Sequence, residues 1–416
     1  MNSSEGDEQA RSTADRVARR SYGKLVAFLA AWTRDVAAAE DALSEAFATA
    51  LVHWPLKGCP ANPEGWLLTV ARRKVIDAIR EQRRKEIASE ELQVMAEGLE
   101  AAADNAEIPD QRLALMFACA HPAIDAGTRA PLILQAVLGF DAAMIGSAFL
   151  ISPVAMSQRL VRAKNKIKQA GIPFRIPGCQ ELGERLSTVL DAIYAAFAEG
   201  WIDAAGTDVV RRDLAEEAIY LGRVVTALLP GEPEALGLLA LMLYAEARRR
   251  ARRSAQGEYV PLAEQDPALW DSQMIGEAEA LLLRASELKS IGRYQLEAAL
   301  QSAHVSRRRT GRANWEEVVQ LYDALMSLFG SPVVALNRAL AVAELDGPRA
   351  GLAAIEEVAS DVRLAEYQPY WAARAELLAK IGAHAEACHA YDLAIGLERD
   401  ASVRRFLQQR QSELAH

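Results

Sequence analysis

Cysteine is scarce: four residues in 416, at positions 59, 119, 179 and 388, with no C-x-x-C. That spacing excludes a disulfide framework and a zinc ribbon. Cys119 and His121 stand two apart, but nothing adjacent completes a metal site. A core cysteine beside a helix-ending His-Pro accounts for them. Aromatic residues make up 6% of the chain, and long alternating runs of β-branched residues are missing. With Ala and Leu abundant, the chain is expected to be all-α. No apolar run approaches membrane length, and the N-terminus, MNSSEGDEQARSTADRVARR, lacks the apolar core of a signal peptide. A cytoplasmic protein with no membrane partner is expected. There is no glycine-rich phosphate loop and no nucleophile beside a base, so an enzyme is the least supported class and no cofactor or metal is implied. The net charge of -9 argues against a nonspecific nucleic-acid coat, while leaving room for local basic surfaces.

Two such surfaces stand out. The first runs from Asn62 to Arg84, NPEGWLLTVARRKVIDAIREQRR, a turn followed by an amphipathic helix. Trp66, Leu67, Val70, Val75, Ile76 and Ile79 recur at helical spacing as a buried stripe. Arg72, Arg73, Lys74, Arg80, Arg83, Arg84 and Lys85 form the other face and the end, opposed only by Asp77 and Glu81. Phosphate backbone is the usual reason for such a face. The second is the helix from Val154 to Lys168, where Arg159, Arg162, Lys164, Lys166 and Lys168 meet no acid. Leu160, Val161 and Ile167 are left for its core side. Ser152 is a good N-cap and Pro153 a good first helical residue. A short helix, Asp141 to Phe149, precedes that turn, giving the order of a helix-turn-helix. Ser157 and Gln158 lie near the start of the second helix, where a recognition helix meets base edges.

Five segments follow from composition. Residues 1–13 are polar and expected to be disordered. Residues 14–88 hold two or three helices and the first basic helix. One of these, Glu40 to Leu51, joins Glu40, Asp41 and Glu45 to Ala42, Leu43, Ala46 and Phe47, and it reads either as a routine amphipathic helix or as a protein-docking surface. Pro55 and Pro60 break the chain after Trp54, with Lys57-Gly58-Cys59 in the loop. Residues 89–110 are an acidic stretch without Lys or Arg, read as a linker. Residues 111–172 form a compact helical set. Residues 173–416 are helical with a weak repeat: Ala335-Leu336-Asn337-Arg338-Ala339 and Trp371-Ala372-Ala373-Arg374-Ala375 lie about 35 residues apart, each followed by a glycine turn, as in tetratricopeptide hairpins. The run Arg248-Arg249-Arg250-Ala251-Arg252-Arg253 reads as a solvated helix end, or as a contact to DNA or to the acidic linker. Tyr194, Phe197, Trp201, Tyr220 and Tyr244 are either core or the lining of a docking surface.

Taken together, residues 14–168 resemble an alternative sigma factor of the sigma-70 superfamily, in the extracytoplasmic-function class. Ala39-Glu40-Asp41-Ala42-Leu43-Ser44-Glu45-Ala46-Phe47 is similar to region 2.2, Asn62 to Asp77 to the segments that open and read the minus-ten element, and Met144 to Lys168 to region 4. The remainder, including Pro233 to Met242, Ser331 to Ala339 and the final repeat, is similar to a subgroup that carries a tetratricopeptide-type domain behind region 4. Two places depart from the pattern: Gly146-Ser147-Ala148 interrupts a usually more regular helix, and Gln265-Asp266-Pro267 replaces Gln-Asp-Arg.

The resemblance implies two small helical domains and a larger helical-repeat domain, with bacterial core RNA polymerase and promoter DNA as partners. Glu40, Asp41, Leu43, Glu45 and Phe47 would dock on the polymerase β′ clamp helices, and region 4 on the β flap. Trp54, Lys57, Asn62, Arg72, Arg73, Lys74, Arg80, Arg83 and Arg84 would meet minus-ten DNA. Trp54 or Trp66 would stack on a base, although the stripe draws Trp66 into the core. Ser152, Ser157, Gln158, Arg159, Arg162, Lys164 and Lys166 would meet the minus-thirty-five element. The C-terminal domain would modulate activity, in one reading by an intramolecular contact with the sigma domains. The competing reading is a conventional helix-turn-helix regulator with a helical-repeat sensor domain, which would hold its DNA site without polymerase.

Overall fold

A computed structural model describes residues 3–85, 110–148, 151–202 and 209–414. The acidic stretch assigned to the linker lies almost wholly outside these residues. Among them every regular element is a helix, apart from one isolated bridge between Arg253 and Tyr259. No described helix is long and apolar enough to cross a membrane. The chain divides into two compact units, Met1–Gly200 with Val209–Leu221, and Trp201–Asp208 with Gly222–His416.

The first unit begins with α1 (Ser3–Thr33), α2 (Val36–Lys57) and α3 (Pro63–Lys85). Helix α1 starts at Ser3 rather than near residue 14, with Ala10, Thr13, Ala14 and Val17 buried, so these small residues replace the expected disorder. Asp35 caps α2 by accepting from the Ala38 N–H at 3.1 Å. Pro55 does not end α2; the helix carries it in its last turns to Lys57, and Gly58, at φ 84°, closes the end by donating to the Trp54 carbonyl. Asn62 opens α3, its Oδ1 accepting from Gly65 N–H at 3.0 Å.

Four helices follow: α4 (Arg112–Cys119), α5 (Ala126–Leu138), α6 (Ala142–Ala148) and α7 (Pro153–Gln169). Helix α4 is apolar from Leu113 onward and buried along its length. Helix α1 packs against α2 and α3 and also against α4 and α5, while α2 packs against α7. Helix α8 (Cys179–Ile202) and the first part of α9 (Val209–Leu228) complete this unit. The boundary placed at residue 173 therefore differs from the structural one, which falls inside α9. Three arginines explain it. Arg185 of α8 is 4% exposed and donates to the Phe117 carbonyl at the end of α4. Arg129 of α5 binds Glu184 at 2.8 Å while donating to the Ile124 and Pro122 carbonyls. Arg112, 6% exposed at its side chain, is held by Asp110 at 2.7 Å and by Glu217 of α9, with its guanidinium 4.7 Å from the Tyr220 ring.

The second unit stacks antiparallel helices: α10 (Pro233–Ala247), α11 (Ser272–Glu287), α12 (Arg293–Thr310), α13 (Trp315–Leu328), α14 (Pro332–Asp346), α15 (Pro348–Glu356), a short α16 (Val362–Ala365), α17 (Gln368–Lys380), α18 (His384–Leu397) and α19 (Ala401–Ser412). Leu336, Ala339, Ile355, Tyr370 and Leu377 form one layer of its core, and Ala387, Ala390, Tyr391 and Leu407 belong to the next. The arginine run is not a solvated helix end. Arg248 reaches Gln301 at 2.6 Å, Arg252 donates to the Trp201 carbonyl at 2.7 Å and lies 4.2 Å from its ring, and Arg253 pairs with Asp400. Five-donor guanidiniums suit that bracing, since each satisfies several acceptors at once. Tyr244 and Phe197 are core, whereas Tyr220 is 44% exposed over Arg112.

Candidate functional site

Helices α2 and α3 share one side of the first unit. The buried face of α2 is Val36, Ala39, Ala42, Leu43, Ala46, Ala50 and Trp54. Leu43 is fully buried, so it holds α2 to its neighbours and offers no docking contact. Asp41 and Glu45 are exposed, Phe47 is partly buried, and Glu40 is 16% exposed at its side chain. Beside them Ala48, Thr49, Val52 and His53 of α2 and Lys74 of α3 line an open groove of about 330 Å³ with Glu45. Leu51, Val52 and Leu56 are 47%, 64% and 82% exposed. Sequence reasoning stopped at Phe47 and missed them. The available signal was apolar residues falling off the buried stripe of the same helix.

On α3, Arg73 and Lys74 face solvent, with Lys74 3.0 Å from Glu45. Arg72 turns inward: its guanidinium lies 4.9 Å from the Phe28 ring and its Nε is buried without a partner. Burial accordingly pulls its pKa down. The side chains of Arg80, Arg83 and Arg84 lie outside the described residues. Trp54 corrects the expectation of base stacking. It is 3% exposed and meets Trp66 edge-on at 5.5 Å, so the tryptophan pair closes the α2–α3 junction. Trp66 is only partly buried, the reverse of the ranking read from the stripe. Lys57 and Asn62 are exposed at the α2–α3 connection, with Asn62 serving as a cap.

The turn from α6 to α7 is tight. Ile151 N–H donates to the Gly146 carbonyl at 2.8 Å, and a Cβ on Gly146 would stand 2.6 Å from the Ile151 carbonyl oxygen. The departure at Gly146 is thus what lets the two strands of the turn approach. Ser152 caps α7 by accepting from Ala155 N–H at 3.4 Å, with Pro153 at the first helical position. Met156, Leu160, Ala163 and Ile167 form the buried stripe, and Val161, expected in it, is 55% exposed. Ser157, Gln158, Arg159, Arg162 and Lys166 are exposed. Arg159, Arg162 and Lys166 line a cleft of about 470 Å³ with Asp125 of the α4–α5 turn and Thr128 in the first turn of α5. Lys164 corrects its assignment to DNA: it is 8% exposed, and its ammonium lies 2.5 Å from Glu40. Burial pushes the Glu40 carboxyl up, against the pull of Lys164. Among the described residues no group of three or more His, Cys, Asp or Glu is arranged to hold a metal, and Cys119 is buried.

Two family models match the chain: sigma-70 region 2 over residues 17–85, and a family of unknown function (DUF6596) over residues 185–286. The first runs from Val17, within α1, to the end of α3. The second begins at Arg185 and crosses the division between the units. A curated protein of Rhizobium meliloti (strain 1021), "Uncharacterized protein R00370", is 40% identical over 387 residues, 92% of this chain and 91% of the relative. No solved structure matches the chain.

Proposed function

The chain belongs to the sigma-70 family, as an extracytoplasmic-function-like factor with a C-terminal helical domain, and from that premise we propose how it selects promoters. As a sigma factor it lends core RNA polymerase its promoter specificity and supplies no active site of its own. In the proposed division of labour, α2 docks on the β′ clamp helices through Asp41, Glu45, Phe47 and the groove they border. Exposed Arg73 and Lys74, with Lys57 and Asn62, take the minus-ten strand. Extruding a base there costs a few kcal/mol, which contacts in the α2–α3 connection must offset. Ser157, Gln158, Arg159, Arg162 and Lys166 read the minus-thirty-five element through α7, with region 4 on the β flap. The C-terminal unit modulates activity.

The observation that carries this reading is the coexistence, within the residues matched as region 2, of exposed acids and apolar side chains on α2 (Asp41, Glu45, Leu51, Val52) and outward cations on the next helix (Arg73, Lys74), with an open groove between them. One surface suits a protein helix and the other suits phosphate. Run-off transcription with bacterial core polymerase tests it. Promoter-specific transcripts should require the protein and disappear when Arg73, Lys74 and Arg159 are replaced by Ala. Binding of a promoter fragment without polymerase, and no transcript with it, would favour a conventional regulator instead.

A further inference from the structure

Within the second unit, the segment between α10 and α11 folds back on the arginine run that precedes it. Val260 N–H donates to the Arg252 carbonyl at 3.0 Å, and Asp271 N–H to the Ala247 carbonyl at 2.9 Å. Gln265, 4% exposed, ties the segment down twice. Its Nε2 donates to the Val260 carbonyl at 3.3 Å, and its own carbonyl accepts from Arg308 of α12 at 2.7 Å. The last helix closes the other side. Arg253 pairs with Asp400, Ser402 Oγ donates to the Gly257 carbonyl at 3.2 Å, and Phe406 meets Tyr259 edge-on at 5.5 Å. Arg248, Arg252, Arg253 and Arg308 are thereby held around one loop. His304 of α12 shows how closely cations gather there. Burial and then the charges of Arg307, Arg248 and Arg308 push its pKa down to about 3, so the ring stays neutral.

Charge and hydrogen bonding are both left unbalanced. Arg248 bonds to the Gln301 side chain and the Tyr244 carbonyl, Arg252 to the Trp201 carbonyl, and Arg308 to the Gln265 carbonyl, none of them a carboxylate. Among the described residues Asp400 is the one acid that pairs with any of the four. It also caps α19, accepting from the Ser402 and Val403 N–H groups. Arg253 Nε and Nη1, Arg308 Nε and Trp270 Nε1 are buried donors with no hydrogen-bond partner. Burial pulls the pKa of Arg248 and of Arg252 down to about 10. Interiors pair buried cations and satisfy buried donors, because leaving either unmet is costly. An anion meets both demands at once. Gln265 narrows its chemistry. With Nε2 committed to the Val260 carbonyl, Oε1 is a buried acceptor that has no partner. A phosphate near neutral pH carries an O–H to donate to it, and sulfate does not.

We propose that this seam of the second unit binds a compact phosphate anion, with Arg253, Arg308 and Trp270 as donors, Gln265 as acceptor, and Arg248 and Arg252 supplying charge. Depth sets the size of the ligand. The Arg253 side chain is 10% exposed and Trp270 is 5% exposed, which suits a free ion or the terminal phosphate of a small molecule and not the backbone of a duplex. Arg253 serves both the ligand and Asp400, so occupancy is linked to how the last helix is held. None of these residues takes part in the promoter or polymerase contacts above, so the site stands or falls separately from the sigma-factor reading.

Thermal unfolding of the full-length protein, in chloride buffer of fixed ionic strength, tests the site with inorganic phosphate, ATP and sulfate as probes. Phosphate should raise the midpoint saturably, by about 5–10 °C at about a hundredfold excess over half-saturation. Sulfate should need more than about tenfold higher concentration, since it leaves the Gln265 acceptor unmet. A lower half-saturation for ATP than for phosphate supports the site and assigns it to a nucleotide's terminal phosphate; the reverse order supports it and assigns it to the free ion. Arg308→Met removes a donor and its charge. Arg253→Lys keeps a cation for Asp400 and removes the guanidinium donors. Each, judged against its own ligand-free midpoint, should raise half-saturation about tenfold or more, the cost of one charge-assisted hydrogen bond. Arg253→Lys carries the comparison alone if Arg308→Met fails to fold. No shift with phosphate or ATP, a shift that does not saturate, one that sulfate matches, or one unchanged in both variants overturns the proposal. A shift produced by duplex DNA and not by phosphate overturns it too, and places a nucleic-acid backbone on these arginines.

Discussion

Helices α3 and α7 carry similar basic faces and use them differently. On α3, Arg73 is turned to solvent, Lys74 meets Glu45 at an exposed edge, and Arg72 folds over Phe28. On α7 the cations divide by position: Arg159, Arg162 and Lys166 line an open cleft, and Lys164 and Lys168 reach the acids of α2. What separates the two is the surface opposite. Helix α7 meets an acidic helix end 124 residues away in sequence, whereas on α3 Arg73 faces solvent and Lys74 meets an exposed acid of the adjacent helix. A count of charges therefore reports that a helix is basic, while the use of each charge depends on what packs against it.

The support behind the two helices also differs, and this gives the largest expected effect. Among the described residues helix α3 packs mainly on α1 and α2, whereas α4 and α5 are tied to α8 and α9 through Arg185, Arg129 and Arg112. A chain ending at residue 176 loses the Arg185 donor to the Phe117 carbonyl and the Glu217 partner of buried Arg112. It should keep the helicity and thermal protection of α1–α3 and lose hydrogen-exchange protection throughout α4–α7. A chain ending at residue 228 should keep both. Equal protection of α4–α7 in the two truncations would break the comparison. A single substitution probes the same dependence more finely. Glu217→Ala leaves Arg112 buried with Asp110 alone, and breaking a buried ion pair costs about 3–5 kcal/mol. The 25% exposure of the Glu217 side chain places the expected loss at the lower end of that range, read from a denaturation midpoint.

Much of the site was legible in the sequence because it is local. The Ser152-Pro153 start of α7, the Asn62 turn before α3 and the buried stripes follow from capping and helical period, which need only a few neighbouring residues. Long-range pairing was not legible. Nothing near Lys164 announces Glu40, and nothing in the arginine run of residues 248–253 announces Asp400 or Trp201. The polar N-terminus reads as disorder until α1 is seen to bury Ala10 and Ala14, residues too small to register as a stripe. Trp54 and Trp66 exchange their expected places because an apolar period cannot say which member of a touching pair lies deeper.

Salt dependence sharpens the comparison between the outward cations. Each phosphate contact on duplex DNA adds about 0.9 to the slope of log affinity against log salt, and each on a single strand about 0.7. With the holoenzyme on a promoter, Arg159→Ala or Lys166→Ala should flatten the slope by roughly the first amount, and Arg73→Ala by roughly the second. An unchanged slope for both Arg159→Ala and Lys166→Ala would remove the exposed face of α7 from the DNA-facing set.

The smallest expected effect concerns Lys74 and Glu45, which pair at 3.0 Å with side chains 45% and 60% exposed. Solvent screens such a pair, and measured values for exposed pairs run about 0.2–1 kcal/mol. Lys74→Ala and Glu45→Ala should each move the thermal midpoint by a degree or two at most, and a double-mutant cycle should return a coupling within that range. Their functional effects should be separable. Lys74→Ala should weaken promoter capture without altering core affinity, and Glu45→Ala the reverse, because each side chain faces its own partner across the groove. If instead both substitutions lower core affinity together, the Lys74–Glu45 pair is part of the polymerase-docking surface, and α3 shares with α7 the property of giving some of its charge to protein instead of DNA.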